Sequence, residues 1–451
     1  MIEFSDVKSV FFLGIGGIGM SALARYLSSS GVKVSGYDRE STTLTKKLEA
    51  EGIGIVYSEE LELDVDSIDV VIYTPAIGKE QFVYQLFEKR KAMMLKRSDA
   101  LKEILRHKKV IAIAGTHGKT STCALLAHIC KEHQLNVTAF VGGVMSGYET
   151  NFLYGTSDWV IIEADEYDRS FWRLYPEISV INAMDADHLD IYNTHEEVIE
   201  AYKVYSLQTK KAGTVFISDT AIGHVDDAWR KQLKDLPVEC KTFGLGNADI
   251  QGHDLRVESG MYQFAIDGFL LKINQPGEHN VYNTLGAVAV ARKLGLSDDK
   301  IASSLLSFRG IERRFEYRLK KEDLIIIDDY AHHPIELEKT IDAVKTLHPK
   351  KKVTVVFQPH LYSRTNDLKE GFAKALDKSD EVILVELYPA REQPIDGVSS
   401  KSILDLMKLE NKVYIKKEEL EQHLQYPKRD LLLFMGAGDA NRYIERIIAV
   451  Y

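Results

Sequence analysis

The stretch Val110-Ile111-Ala112-Ile113-Ala114-Gly115-Thr116-His117-Gly118-Lys119-Thr120-Ser121 decides how the rest of the chain is read. An apolar run from Val110 to Ala114 makes a buried strand, and the pattern from Ser121 to Lys131 makes a helix. Between them lies a glycine-bracketed turn. Such a loop binds nucleotide phosphates: successive backbone N–H groups cradle an anion at the helix N-terminus, and Lys119 adds a mobile positive charge. The hydroxyl of Thr120 is a hard oxygen donor suited to Mg2+. Gly115, Thr116, His117, Gly118, Lys119, Thr120 and Ser121 are therefore the candidate phosphate contacts of an ATP site. The loop departs from the common phosphate-loop pattern, because Ile113 stands where the first glycine is usual.

Outward from this loop, short apolar runs alternate with longer helix-like segments along the whole chain. That alternation predicts an α/β protein with parallel strands and crossover helices. Three blocks each restart with a strand: residues 1–106, 107–308 and 309–451. The first carries strands at Val10–Leu13, Lys33–Tyr37 and Val70–Tyr73. The second carries Val110–Ala114, Trp159–Ile162 and Ile178–Ile181, then a β-rich stretch from about Cys240 to Ile273. The third carries Leu324–Ile327, Lys352–Phe357, Val382–Val385 and Leu431–Phe434. The expected architecture is a Rossmann-like first domain, a central phosphate-loop domain with an added β-rich segment, and a Rossmann-like third domain.

The 451 residues are too many for one ordinary core, and 45% apolar with 27% charged residues is normal for a soluble protein. A net charge of -10 argues against binding nucleic acid through its phosphate backbone. The cysteines Cys123, Cys130 and Cys240 have no metal-like spacing, and so sparse a set fits a reducing, cytoplasmic compartment. The acidic start MIEFSD is unlike a signal peptide, and no apolar run is long enough to span a membrane, so no membrane insertion is expected.

In the first block, Gly14-Ile15-Gly16-Gly17-Ile18-Gly19 follows a strand and opens a helical pattern from Met20 to Leu27. Glycines there allow a tight turn and close approach of the backbone to a pyrophosphate. Asp38 ends the next strand, where a ribose-binding acid would sit. The ligand stays open at this point: a dinucleotide and a uridine diphosphate both suit the turn. In the second block, Glu163-Ala164-Asp165-Glu166 and Asp185-Ala186-Asp187-His188-Leu189-Asp190 each follow a strand. Loops at strand C-termini gather at the ligand face of a parallel sheet, so these clusters are candidate metal ligands.

GTHGKT, EADE, DADHLD and GEHNVYN, in this order and spacing, resemble the Mur ligases, bacterial enzymes that add amino acids to the peptidoglycan precursor. GIGGIGMSALA, RRFEY and DDYAHHP resemble the alanine-adding members, and the likeness covers nearly the whole chain. The resemblance implies that Lys119 holds the ATP phosphates, that Thr120 and Glu163 hold one Mg2+ (Mn2+ being an alternative ion), and that His188 serves a second. It places His279, Asn280 and Asn283 at the adenine; on the residues alone, Asn280 also reads as a helix cap. It places Gly14, Gly16, Gly17, Ile18, Gly19 and Asp38 at the UDP-sugar. It places Arg314 and Asp329 near the γ-phosphate, and Tyr330, His332, His360 and Arg364 near the amino acid. The His-His-Pro sequence in DDYAHHP also reads as a helix cap. Leu361 stands where many relatives have arginine. Lys203 lies at the offset at which some family members carry a carbamylated lysine.

The reaction implied is ligation of L-alanine to the lactyl carboxylate of UDP-N-acetylmuramate through an acyl phosphate, giving ADP and phosphate. A carboxylate oxygen is a poor leaving group, so a phosphoryl group must first be moved onto it. Lys119, His188, Arg314 and His332 are the candidate catalytic residues, with His332 orienting or deprotonating the amine. A monomer or homodimer is expected. The nearest rival is a recycling ligase that joins a tripeptide to the same UDP-sugar, but its glycine turn differs from GIGGIGM. Folate- and cyanophycin-type ligases share the phosphate loop without needing the first glycine block. A nicotinamide-dependent oxidoreductase would leave the acidic clusters without purpose, and a nucleotide-gated binding protein without catalysis is a third class.

Overall fold

A computed structural model describes residues 3–58, 65–186, 189–235, 237–258, 260–390, 392–425 and 428–450. The chain forms two compact units. The first comprises Met1–Leu255, Phe264–Lys272 and Tyr282–Arg309; the second comprises Arg256–Gln263, Ile273–Val281 and Gly310–Tyr451.

The first unit holds two large sheets. One is parallel, with strands β1 (Ser9–Leu13), β2 (Lys33–Tyr37), β3 (Gly54–Val56), β4 (Val70–Tyr73) and β5 (Met94–Lys96) in the order β3-β2-β1-β4-β5. The order in which strands are added reverses between β1 and β4, the crevice where open α/β sheets take their ligands, and the Gly14 turn lies there. The other sheet contains β6 (Lys109–Ala114), β7 (Thr138–Met145), β8 (Thr150–Leu153), β9 (Trp159–Glu163), β10 (Ile178–Ile181), β11 (Thr214–Ser218), β12 (Glu239–Gly244) and β13 (Ile250–Gln251). Its order is β13-β12-β11-β10-β6-β9-β7-β8, so β6 sits between β10 and β9. Beyond Lys109, every residue of β6 is buried, as expected of a parallel strand covered on both faces.

The hairpin β7–β8 was not legible in the sequence, because Gly142-Gly143 interrupts the alternation. It packs on the helix Ile18–Ser29: the Tyr26 ring lies 5.5 Å from Phe140 and 6.3 Å from Phe152. One apolar cluster runs from Val10, Phe12 and Leu23 through Phe140 and Phe152 to Ala112 and Ile162. A buried polar knot accompanies it. Arg25 forks onto Glu51 at 2.7 and 2.8 Å and donates to Asn151 Oδ1, while Asn151 Nδ2 donates to the Ile18 carbonyl at 2.6 Å. A small sheet of β14 (His253–Glu258), β15 (Met261–Ile266) and β16 (Phe269–Ile273) accounts for the β-rich stretch.

The second unit is built on β17 (Glu316–Lys320), β18 (Ile325–Asp329), β19 (Val353–Phe357), β20 (Glu381–Val385), β21 (Lys412–Ile415) and β22 (Leu431–Met435), in the order β17-β18-β22-β19-β20-β21. Only β17 runs antiparallel. The strand expected at Leu324–Ile327 extends through two acids, Asp328 and Asp329, both buried. Each pairs in register with β22, and Asp329 is satisfied by backbone N–H groups, so an acidic pair continues a buried strand. Among the described residues no helix is long and apolar enough to cross a membrane, and all three cysteines are free.

Candidate active site

The loop after β6 has the geometry that anion binding needs. Gly115 (φ 141°) and Gly118 (φ 81°) hold positive backbone angles, and Gly118 is the N-cap of the helix Lys119–Glu132, which carries Thr120 and Ser121 in its first turn. A Cβ at position 115 would stand 2.9 Å from the Ala183 nitrogen. A Cβ at position 118 would stand 2.1 Å from Asn283 Oδ1, so the amide proposed for the adenine lies directly on the phosphate loop. Buried side chains tie the two together: Asn182 Nδ2 donates to Thr122 Oγ1 at 2.9 Å, and Thr122 Oγ1 donates to the Asn283 carbonyl at 3.3 Å. The Thr116 N–H donates to the Ala183 carbonyl and its hydroxyl accepts from the Asp185 N–H. His117 Nε2 lies 3.7 Å from the Asp185 carboxylate.

Strand β9 delivers Glu163 beside this loop. One carboxylate oxygen accepts from Thr120 Oγ1 at 3.1 Å and the other from the Gly142 N–H at 2.5 Å. A hydroxyl and a carboxylate in contact are hard oxygen donors of the kind Mg2+ prefers, so the two side chains fit that ion. Among the described residues no group of three metal-ligating side chains gathers. Lys119 donates to the Gly115 carbonyl and to both oxygens of Glu166. Burial works against its charge, but Glu166, and then Asp165 and Glu163, outweigh that and hold the ammonium above the ordinary lysine range.

At the glycine turn of the first sheet, Gly14 has φ 82° and a Cβ there would meet Thr74 of the strand-β4 loop at 2.7 Å. Gly17 is the N-cap of the helix Ile18–Ser29. The Gly16 N–H donates to Asp38 Oδ2 at 2.7 Å, so this carboxylate pins the turn itself. Gly19 faces Arg97, whose Nη1 would be 2.6 Å from an added Cβ. Ile18 is exposed beside it.

In the second unit, Arg313-Arg314-Phe315 forms a strained turn, with φ 58° at Arg313 and 48° at Phe315. Arg313 is committed to the fold: it donates to the Gly436 carbonyl at 2.6 Å and faces buried Asp328 at 3.7 Å. Both guanidinium groups lie over the Tyr330 ring, Arg313 at 5.1 Å and Arg314 at 5.2 Å. Asp329 accepts from the Ala331 and Phe315 N–H groups at 2.7 and 2.8 Å. Burial pushes its carboxyl up to about 6, against the pull of Arg314. His332 Nδ1 lies 2.9 Å from the Tyr330 carbonyl, which can only accept, so Nδ1 carries the proton and Nε2 the lone pair. Burial holds this ring neutral, with a pKa lowered to about 4. His333 is the N-cap of the helix Pro334–Leu347 in a capping box with Glu336, so the capping reading holds for the second histidine of the pair.

His360 stacks on Tyr388, with centroids 5.7 Å apart. Arg364 lies in the first turn of the helix Tyr362–Leu376, and its charge acts on His332. Leu361, the N-cap of that helix, has φ 71°, a strained angle for a leucine that costs about 1–3 kcal/mol. The strain is held by the Leu361 N–H bond to the Tyr388 carbonyl and by Thr365, which donates back to the Leu361 carbonyl.

Three family models match: the Mur ligase family catalytic domain over residues 9–109, the Mur ligase middle domain over 113–291, and the Mur ligase glutamate ligase domain over 313–438. UDP-N-acetylmuramate–L-alanine ligases of Cytophaga hutchinsonii and Christiangramia forsetii are 42% and 38% identical. The alignments cover 99% of this chain in both cases, and 97% and 98% of the relatives. The chain belongs to the Mur ligase family. The crystal structure of a UDP-N-acetylmuramate–alanine ligase from Thermotoga maritima superposes with a TM-score of 0.83 at 29% identity, covering 98% of this chain and all of that one. A murein peptide ligase from Psychrobacter arcticus shares the fold, with a TM-score of 0.71 at 20% identity over 98% of each chain.

Of the residues the Mur resemblance assigns to the nucleotide, the first unit brings together the loop, Glu163 and Asn283. His279 and Asn280 belong to the second unit. Asn280 is not a helix cap, because the helix begins earlier, at Glu278; its amide instead donates to the Pro276 carbonyl at 2.7 Å. His188 lies outside the described residues. Lys203 pairs with Glu200 one helical turn back, at 3.4 Å. Sequence reasoning missed three contributors. Arg97 at the glycine turn had one signal, a basic residue directly after a strand. Asn182 and Thr122 had none, since a buried amide and a helical threonine look ordinary.

Proposed function

We infer that this Mur ligase joins L-alanine to the lactyl carboxylate of UDP-N-acetylmuramate at the expense of ATP, releasing ADP and phosphate, in peptidoglycan precursor synthesis. The observation that carries this reading is the phosphate loop with Lys119 and Asn283 on it, in a chain whose full-length relatives at 36–42% identity are UDP-N-acetylmuramate–L-alanine ligases. Three domains at 1–106, 107–308 and 309–451 serve the UDP-sugar, ATP and the amino acid in turn. The spans of the three family models support those boundaries.

Backbone N–H groups of Gly115 to Thr120 bind the β- and γ-phosphates, and Lys119 neutralises charge on the phosphoryl group in flight. Thr120 and Glu163 hold Mg2+, with His188 toward a second ion; the metal supplies charge stabilisation at the phosphate oxygens. Asn283, with His279 and Asn280, reads the adenine. Arg314, which makes neither the Gly436 nor the Asp328 contact of Arg313, and Asp329 act at the γ-phosphate. The phosphoryl group moves onto the lactyl carboxylate, and the neutral amine of L-alanine then displaces phosphate from the acyl carbon. His332 presents the lone pair of Nε2 to the ammonium, with Tyr330, His360 and Arg364 holding the amino acid. An arginine binds an α-carboxylate bidentately, which suits Arg364 to that role. Gly14, Gly16, Gly17, Ile18, Gly19 and Asp38 take the UDP-sugar, and Asp38 also holds the turn through the Gly16 N–H. Free cysteines and soluble substrates fit a cytoplasmic enzyme, working as a monomer or homodimer.

The test is phosphate release by the purified protein with each component omitted in turn, and with amino acids and short peptides compared at fixed UDP-N-acetylmuramate. Release requires ATP, Mg2+, UDP-N-acetylmuramate and L-alanine together. Equal rates without the UDP-sugar, or a preference for a tripeptide over alanine, overturn the assignment.

A further inference from the structure

The Lys119 ammonium has three protons, and each has an acceptor: the Gly115 carbonyl at 2.7 Å and the two Glu166 oxygens at 2.7 and 2.8 Å. A lysine meant for nucleotide phosphates thus has no donor to spare in this arrangement. Glu166 is only 1% exposed, and a carboxylate so buried stays ionised only with a partner. Its backbone is fixed from two sides. The Tyr192 hydroxyl and the Arg169 N–H both donate to the Glu166 carbonyl, at 2.5 and 2.9 Å. The fixed member of the pair is therefore Glu166, and the movable member is the flexible lysine stem.

We propose that Glu166 is a built-in counter-ion that occupies Lys119 in the nucleotide-free enzyme and releases it to the incoming phosphates. This rests on reading the Gly115–Thr120 loop as the ATP site. The clamp Gly115 carbonyl–Lys119–Glu166 keeps the loop shaped and the lysine charged. When phosphate oxygens arrive, Lys119 exchanges the two carboxylate contacts for contacts to phosphate, with no change of protonation. The two Lys119–Glu166 contacts are given up in that exchange, and their loss is subtracted from nucleotide affinity. A ligand shifts such an equilibrium only by its difference in affinity for the two arrangements, so removing the carboxylate must tighten ATP binding. A residue that merely props up the loop would have the opposite effect.

The experiment compares ATP binding by calorimetry for the full-length wild type, Glu166→Gln, Glu166→Asp and Lys119→Ala, without UDP-sugar or amino acid. Glu166→Gln is expected to bind ATP about tenfold more tightly, because the charge-assisted contacts that compete for Lys119 are weakened. Glu166→Asp, which keeps the charge but shortens the reach, is expected to show a smaller gain and serves if the glutamine variant does not fold. Acetic anhydride labelling of Lys119, read by mass spectrometry on nucleotide-free protein, is expected to be faster in both Glu166 variants. Unchanged or weaker ATP binding in the Glu166 variants, with Lys119→Ala weakened, overturns the proposal alone. Unchanged binding in Lys119→Ala overturns the ATP-site reading beneath it.

Discussion

Asn283 Oδ1 occupies the space over Gly118, 2.1 Å from where a Cβ at that position would stand. The contact joins the Asn283 amide to the phosphate loop without an intermediate residue. Gly118→Ala would force a left-handed alanine, which costs about 1–2 kcal/mol, and would also displace Asn283. The expected result is a rise in KM for ATP of about tenfold or more, since each 1.4 kcal/mol is a factor of ten. Steady-state phosphate release against ATP concentration checks it; an unchanged KM would separate Asn283 from nucleotide binding.

Lys119→Ala removes the only side-chain cation that the loop itself carries. Phosphate release should fall by about a hundredfold to a thousandfold, the usual loss when one preorganised charge at a developing anion is deleted. Far-UV circular dichroism should be unaltered. Substantial turnover with an intact fold would mean that the loop is not the phosphoryl-donor site.

The second unit should show opposed pH dependences from two neighbouring groups. His332 has a folded pKa lowered to about 4, below its ordinary 6.5. Between those values the unfolded chain takes up a proton that the folded site refuses, so this group costs stability as pH falls. Asp329 is raised to about 6 from an ordinary 3.8, so there the folded site takes up the proton first and gains stability as pH falls. Asp328 shifts in the same direction as Asp329. His332→Asn should therefore become more stable relative to wild type as pH drops from about 6 to 4, and Asp329→Asn should become less stable relative to wild type over the same range. Hydrogen exchange at β18 is the readout, because a protein of two units need not melt in one step. Parallel pH profiles for all three proteins would refute the assignment.

Asn151→Ala should destabilise the first unit by about 1–3 kcal/mol, since it leaves one Arg25 guanidinium nitrogen buried without its acceptor, while the Ile18 carbonyl keeps the Ser21 hydroxyl. Urea denaturation followed by Trp159 and Trp172 fluorescence measures it. A loss below 0.5 kcal/mol, the scatter of ordinary surface changes, would mean that the knot is not a structural tie.

The core strands were legible because parallel strands buried on both faces are plain apolar runs. Val70–Tyr73 and Ile178–Ile181 match to the residue. The phosphate loop was legible because its turn demands glycine and its charge demands lysine. What was not legible depended on partners distant in sequence. Asp328 and Asp329 read as a loop until Phe315, Ala331 and β22 satisfied them. That Asp38 Oδ2 accepts from the Gly16 N–H could not be read from the sequence, because the turn and the acid follow different strands. Of the paired arginines, only the structure distinguishes Arg313, held to Gly436, from Arg314.

The tie between Arg25 and Asn151 spans 126 positions of sequence. During vectorial synthesis the first sheet can pair its own strands early, but the outer face of the helix Ile18–Ser29 has nothing to bury against until the β7–β8 hairpin emerges. Ribosome-bound chains ending near residue 106 should therefore expose Tyr26, and an Arg25 held by Glu51 alone, to chaperones, and the nascent protein passes through an aggregation-prone interval before its phosphate loop is even made.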